Sequence, residues 1–358
     1  MKRVGIVFLA AIMALGLVSN VFATDTAGGD ETITIGVSFS DFATDRWPEE
    51  DALMQQLAQD AGADYISQVA NYDVRLQNDQ IDNMILQGAD VIIVIAQDGA
   101  SAAAAVDAAA ADGIPVIAYD RLIKSPNLAA YITFDNLEVG RSQARGVLEV
   151  VNSGRFVLLG GSPTDNNAIL FRNGQMEILQ PLIDSGQIEI VADQWVPDWA
   201  PANAVTIMEN ILTAINNDVD AVVASNDGTA LGALQAMRAQ GLAGIVPISG
   251  QDATESGCAS IAAGELTVTV FKDIRLLSPM AIDMAVELAA GDSIPGLEMH
   301  TLAELTLDDS LSGSVPCRFL PVVQVNKDNL YEEVILTGFQ SYDAVYRDIP
   351  EGERPPRP

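Results

Sequence analysis

From Ile33 onward the sequence alternates short β-branched runs with amphipathic or Ala-rich stretches, and it does so twice in the same order. Strand-type runs are Ile33–Phe39, Asp64–Val69, Val91–Ile95, Pro115–Ala118 and Ala130–Thr133, with helical stretches at Pro48–Ala61, Gln77–Leu86 and Ala100–Ala111 between them. The second half repeats the pattern. Its strands are Phe156–Leu159, Ile188–Ala192, Ala221–Ala224 and Val246–Ser249, and its helices Ala168–Ser185, Pro201–Ile215 and Ala230–Ala239. Strand–helix–strand repetition of this kind builds parallel sheets covered by helices on both faces. GADVIIVIAQD (88–98) parallels DVDAVVASND (218–227), each an apolar run ending in polar residues, so the chain reads as one unit of about 120 residues written twice. The fold class expected is α/β, with two similar doubly wound parallel-sheet lobes.

After Phe271 come a helix near Leu276–Ala290 and two further apolar runs, His300–Leu307 and Phe319–Val325. One run for each lobe makes both lobes discontinuous, with three chain crossings near Asp135-Asn136, Lys272-Asp273 and Asp308–Ser314. The expected division is 24–135 plus 274–310 for lobe I, 136–273 plus 311–348 for lobe II, and a loose charged tail over 349–358.

The N-terminus needs separate reading. Lys2 and Arg3 precede an apolar run from Val4 to Val18, and Val21-Phe22-Ala23 offers small residues at the cleavage positions. This is the pattern of an export signal cut after Ala23, residues 1–23, and the protein is expected in the periplasm. The run is short for a membrane span, and no later segment reaches the roughly 20 apolar residues that a span needs. The whole chain carries 18 Lys+Arg against 49 Asp+Glu, a formal charge of −31. Such a charge repels nucleic acid and anionic membrane, so neither is expected as a partner. One histidine leaves little room for imidazole catalysis or a His-rich metal site. Cys258 and Cys317 stand without a CxxC pattern, and whether they pair is left open.

In open parallel sheets ligands bind beyond the carboxyl ends of the strands. The residues there include Asp41, Arg46, Trp47, Gln97, Asp98, Asp120, Arg121, Asp135 and Asn136 in the first half, then Asp165, Asn166, Asn167, Trp195, Trp199, Asn226, Asp227, Gln251, Asp252 and Lys272 in the second. Hydroxyl groups both donate and accept, so carboxylates, amides and cations together suit a polyol. Indole rings suit the apolar faces of a pyranose. The three cations Arg46, Arg121 and Lys272 are balanced by Asp120, Asp165 and Asp252, which argues against an anionic ligand.

These words carry a resemblance: RW (46–47), AYDR (118–121), FDN (134–136), GGSPTDNNA (160–168), DQWVPDW (193–199), VVASND (222–227), ISGQD (248–252) and FKD (271–273). From about Ile33 to Phe339 the chain resembles the periplasmic D-xylose-binding proteins of bacterial ABC importers, in the pentose/hexose group of two-lobed sugar binders. The resemblance implies a type I Venus-flytrap fold and a monomer that closes on an aldopentose. The ligand set it implies is Trp47 and Trp199 on the ring faces, with Arg46, Asp120, Arg121, Asp165, Asn167, Asn226, Asp252 and Lys272 on the hydroxyls and ring oxygen. The implied partners are a sugar and the membrane permease; a receptor for another sugar, ribose, arabinose or glucose, that docks on a chemoreceptor or sensor kinase is the alternative reading. No cofactor is implied. The related glucose/galactose binders hold calcium in the second lobe, but AINNDVDAV (214–222) lacks the Gly and the distal Glu of such a loop, so no metal is expected.

Plainer readings exist for several residues. Trp195 suits packing at a strand end, Asp98 and Asp227 suit helix capping, and His300 suits an ordinary structural position. GGSPTDNN is glycine-rich but matches neither GxGxxG nor GxxxxGK[ST], and Pro163 removes a backbone donor, so a nucleotide site is not expected. An enzyme would need a nucleophile–base pair or a hydrolytic carboxylate pair such as Asp120 with Asp165. No nucleophile–base pair is visible, and the carboxylates are matched by cations.

Overall fold

The computed structural model describes residues 32–358, so the export signal expected over 1–23 lies outside the described residues. The first half runs β1 (Thr34–Phe39), α1 (Arg46–Asp60), β2 (Asp64–Val69), α2 (Val74–Leu86), β3 (Val91–Val94), α3 (Ala103–Ala111), β4 (Val116–Tyr119) and β5 (Ala130–Phe134). Next come α4 (Asn136–Leu148), β6 (Gly154–Gly160), α5 (Asn166–Asp184), β7 (Ile188–Trp195), α6 (Pro201–Ala214), β8 (Ala221–Ala224), α7 (Asp227–Ala239), α8 (Glu255–Ala263) and β9 (Val268–Phe271). The chain ends with α9 (Ile274–Ala289), β10 (Glu298–Thr301), α10 (Leu302–Thr306), β11 (Ser314–Leu320), β12 (Val323–Asn326) and α11 (Tyr342–Val345).

Lobe I is a seven-stranded sheet ordered β10-β11-β5-β4-β3-β1-β2, parallel except for the edge strand β10. Its central strands are apolar on both faces because helices cover both. Along β3 and its end, Val91, Ile93 and Ile95 enter one core with α1 and α9, while Ile92 and Val94 enter the other with α2 and α3. Lobe II has the same order. β7-β6-β8 are paired in parallel, Val222 bridges to Ile248 and Ser249 to Val268, and β9 then pairs antiparallel with β12. The fourth strand expected at Val246–Ser249 survives only as these isolated bridges, because Pro247 has no N–H for a ladder.

Helix starts are written into the sequence. Asp73, Asp135, Asp165, Asn226, Thr254 and Asp273 each accept a backbone N–H of the following first turn. Pro201 opens α6.

The first two crossings are at Asp135 and at Lys272-Asp273, where the chain passes from β5 to α4 and from β9 to α9. The third is not at Asp308–Ser314. β11 pairs with β5 from Cys317–Tyr131 to Leu320–Phe134, so the chain stays in lobe I until Leu320 and crosses at Pro321-Val322. The run Phe319–Val325 is thus two strand ends of different lobes, split where Pro321 cannot donate to a ladder. The stretch His300–Leu307 is half strand and half helix, because Thr301 and Glu304 form a capping box.

The last residues are tied down and not loose. Tyr342 donates its hydroxyl to the carbonyl of Pro355 at 2.7 Å, Arg354 donates to the carbonyl of Ile349 at 2.6 Å, and Arg357 pairs with Asp343. Cys258 and Cys317 are both buried and free, one in the core of each lobe, so no disulfide joins them.

Candidate functional site

The strand ends of the two lobes meet around one cavity of about 290 Å³. The ten residues of the expected ligand set line it: Arg46 and Trp47 from the start of α1, Asp120 and Arg121 after β4, Asp165 and Asn167 at the start of α5, Trp199, Asn226 before α7, Asp252, and Lys272 at the second crossing. Each of them is less than a tenth exposed. The strand-end residues Asp41, Gln97, Asp98, Asp135, Asn136, Asn166, Trp195 and Asp227 do not line it. Thr44, Phe171 and Gln251 complete the wall. Gln251 stood among the strand-end residues, but Phe171 reads in sequence as support within a helix, and Thr44 carries no signal beyond its nearness to Arg46.

Three cations and three carboxylates buried together must pair, since a lone buried charge costs several kcal/mol. Arg46 Nη1 donates to Asp120 Oδ2 at 3.1 Å and to Asp252 Oδ1 at 3.4 Å. Lys272 Nζ also reaches Asp120 Oδ2, at 3.3 Å. Arg121 Nε lies 3.1 Å from Asp165 Oδ2, which also accepts the indole N–H of Trp199 at 3.0 Å. Asn167 Nδ2 donates to the carbonyl and the carboxylate of Asp120, both at 3.0 Å. Most of these contacts join lobe I to lobe II, and the described structure is the closed arrangement.

A fourth carboxylate lies behind the wall. Glu50, fully buried, pairs with Arg46 one helical turn earlier and accepts the Tyr119 hydroxyl. In sequence Glu50 reads as helix-end charge; the signal that finds its role is the i,i+4 spacing from Arg46.

The charges set the protonation states. Burial alone would raise the Asp120 carboxyl, but Lys272, Arg46 and Arg121 outweigh it and hold it at about 2. Burial raises Asp165 against the opposing pull of Arg121 and its donors. Asp227 does not cap α7, as a residue after a strand end suggests; Asn226 does. Its buried carboxylate instead accepts from the Thr254 N–H at 3.0 Å and the Thr269 hydroxyl at 2.8 Å, beneath the Asp252 turn. Burial, and then the charge of Asp252, push it up to about 8.

Backbone strain gathers here too. Asp120, Trp199 and Asp252 have φ of 59°, 58° and 99°, values that L side chains rarely adopt. GGSPTDNN has a mechanical explanation. A Cβ on Gly161 would lie 1.9 Å from the Trp199 ring, and one on Gly160 would lie 2.4 Å from Trp195. The glycines admit two indoles against the backbone. Trp199 then meets Phe171 edge-on at 6.2 Å, while Trp195 packs under Arg172 outside the cavity. Trp47 lies against the guanidinium groups of Arg46 and Arg121, at 4.6 and 5.4 Å.

Three buried polar atoms on the wall have no hydrogen-bond partner among the described residues: Arg46 Nη2, Trp47 Nε1 and Gln251 Oε1. Two donors and an acceptor thus stay unpartnered on residues that line a small space whose charges are already paired. Among the described residues no group of three or more His, Cys, Asp or Glu is placed to hold a metal, and no helix is long and apolar enough to cross a membrane. Asp98 caps the turn before α3, accepting from Ala100 and Ser101.

Comparison with known proteins places this architecture. A family model described as a periplasmic binding protein domain matches residues 35–293. The chain belongs to the periplasmic binding protein family. Within it, the chain is 45% identical to the D-xylose-binding periplasmic protein of Escherichia coli K12, over 91% of this chain and 96% of that one. It is 42% identical to the protein of the same description from Haemophilus influenzae, over 94% and 98%. An ABC transporter solute-binding protein of Clostridium phytofermentans, solved with β-D-glucose, superposes with a TM-score of 0.78 at 29% identity over 87% of this chain and 99% of that one.

Proposed function

We propose that this protein is an exported receptor that closes its two lobes on a neutral monosaccharide, D-xylose, and presents the closed form to the permease of an ABC importer. The observation that carries the reading is the unpartnered set Arg46 Nη2, Trp47 Nε1 and Gln251 Oε1 around a cavity whose cations and carboxylates already pair. A neutral ligand with several hydroxyls can satisfy both donors and the acceptor without leaving a charge uncompensated. An anionic sugar would meet Asp120, Asp165 and Asp252. The D-xylose-binding relatives support the pentose. Trp47 and Trp199 supply the apolar faces, and the other eight residues of the expected ligand set, with Gln251, supply the hydrogen bonds.

The mechanism is a population shift. Each lobe alone leaves part of the charge network unpaired, and a sugar that bonds to both lobes stabilises the closed state by its differential affinity for it. Nothing here calls for bond cleavage. A hydrolytic pair needs carboxyls free to face a scissile bond, whereas Arg46 and Lys272 engage Asp120, and Arg121 and Trp199 engage Asp165.

Titration calorimetry with D-xylose, L-arabinose, D-ribose, D-glucose and D-xylonate tests the reading. Xylose is expected to bind most tightly and xylonate weakest. Preference for xylonate, or heat from none of the neutral sugars, overturns it.

A further inference from the structure

A second cavity, of about 630 Å³, adjoins the first at the Asp135 crossing. The two share a wall: Phe134 lines the second cavity, while its ring lies 5.4 Å from Lys272 Nζ and 6.0 Å from the Arg46 guanidinium of the first. Lobe I contributes Tyr131 and Phe319, whose rings meet edge-on at 6.3 Å, and lobe II contributes Leu137 and Leu170. A concave wall that is mostly apolar with a few polar groups is the usual form of a small-molecule site.

Its polar groups point to one kind of ligand. Asp135 and Glu304 give the wall two carboxylates. Asn136, 4% exposed, donates from Nδ2 to Asn167 Oδ1 at 2.9 Å, and its Oδ1 is buried with no partner among the described residues. The amide orientation follows from Asn167, whose own Nδ2 is committed to Asp120. The wall therefore offers an unsatisfied acceptor and negative charge beside aromatic faces. Its one basic side chain, His300, stacks edge-on against Phe319 at 5.1 Å and leaves its buried Nε2 without a hydrogen-bond partner among the described residues, 3.8 Å from Glu298. Carboxylates and ring faces together favour an organic cation.

We propose that this cavity binds a small organic ammonium, a primary amine on an apolar ring or chain, with Asn136 Oδ1 accepting its N–H and Asp135 and Glu304 balancing its charge. Because the wall comes from both lobes, an occupant favours their closed arrangement. Tyr131 and Asn136 both bond to Asn167, which connects the two cavities. The binding stands by itself; its coupling to sugar rests on the function proposed above.

The test uses benzylamine, benzyl alcohol and benzoate in calorimetry on the full chain. Benzylamine is expected to bind about tenfold more tightly than benzyl alcohol, and benzoate not at all. Glu304→Gln keeps the cap at Thr301, since Gln also serves there. It should weaken benzylamine by about threefold or more while leaving benzyl alcohol unchanged. Phe319→Ala, at an exposed edge position, should weaken both. Saturating xylose should leave benzylamine bound and tighten it. No binding, equal affinity for amine and alcohol, indifference to both substitutions, or displacement by xylose overturns the proposal. Loss of xylose binding alone would count against the sugar reading and leave this one standing.

Discussion

The two lobes share a strand order and differ in what they bring to the cleft. Lobe I presents Arg46 and Arg121, with Asp120 as the carboxylate it gives the cavity wall and Glu50 locked behind. Lobe II presents Asp165, Asp252 and the amides of Asn167 and Asn226, set at helix starts and on a strained turn. Two copies of one unit have thus become complementary halves. Closure pairs Arg46 with Asp252 and Arg121 with Asp165, so each half supplies what the other lacks. The support differs as well. Lobe I rests its cations on a continuous seven-stranded sheet, whereas lobe II holds Asp252 on a turn carried by isolated bridges and by the buried Asp227.

If the halves are complementary in this way, removing a carboxylate from lobe II should have the largest effect. Asp252→Ala leaves Arg46 short of a partner, and xylose affinity should fall more than about 100-fold in calorimetry with the fold intact by circular dichroism. An unchanged affinity would break the comparison. Gly161→Ala comes next: its Cβ would occupy the place of the Trp199 ring. Affinity should drop by roughly 30-fold, a loss comparable to an overpacked core site. Trp199→Phe keeps a ring but loses the bond to Asp165, for about a tenfold loss.

A prediction on stability, with no loss of affinity expected at pH 7, sharpens the contrast in support. Asp227 has its native pKa raised to about 8, so the native state holds a proton that the unfolded state releases near the usual carboxylate value of 3.8. Its contribution is present in full below 3.8 and is lost as pH rises toward and through 8, at up to ~1.4 kcal/mol per pH unit. Asp227→Asn should therefore flatten the pH dependence of urea stability between pH 5 and pH 9, by up to ~4 kcal/mol over that range. Asp120 has the opposite sign: held at about 2, its ionised form stabilises the protein above the ordinary carboxylate range and that contribution fades only toward pH 2.

The strands and helices were legible because their periods are local. The alternating cores of β3, the proline at α6 and the Asp and Asn caps each follow from a few neighbouring residues. The third crossing was not legible from hydropathy, since Phe319–Val325 is one apolar run. Only pairing with β5 shows that it belongs to both lobes, although Pro321 marks the break. Likewise Glu50 and Phe171 read as ordinary helix residues, because a role behind or beside a cavity depends on what packs against them.

Sequence by itself determined that two similar α/β lobes form, and that their strand ends carry cations, carboxylates, amides and indoles. Those properties depend on side-chain chemistry at short range along the chain. Tertiary structure decided the rest: which cation meets which carboxylate, why the glycines beside β6 must stay small, and that the cysteines sit in separate cores. It also decided that a second cavity opens beside the first. Pairing energies and steric clearances depend on distances of a few ångströms between segments that are up to 206 residues apart, as Arg46 and Asp252 are. Those distances exist only after both lobes have folded and closed.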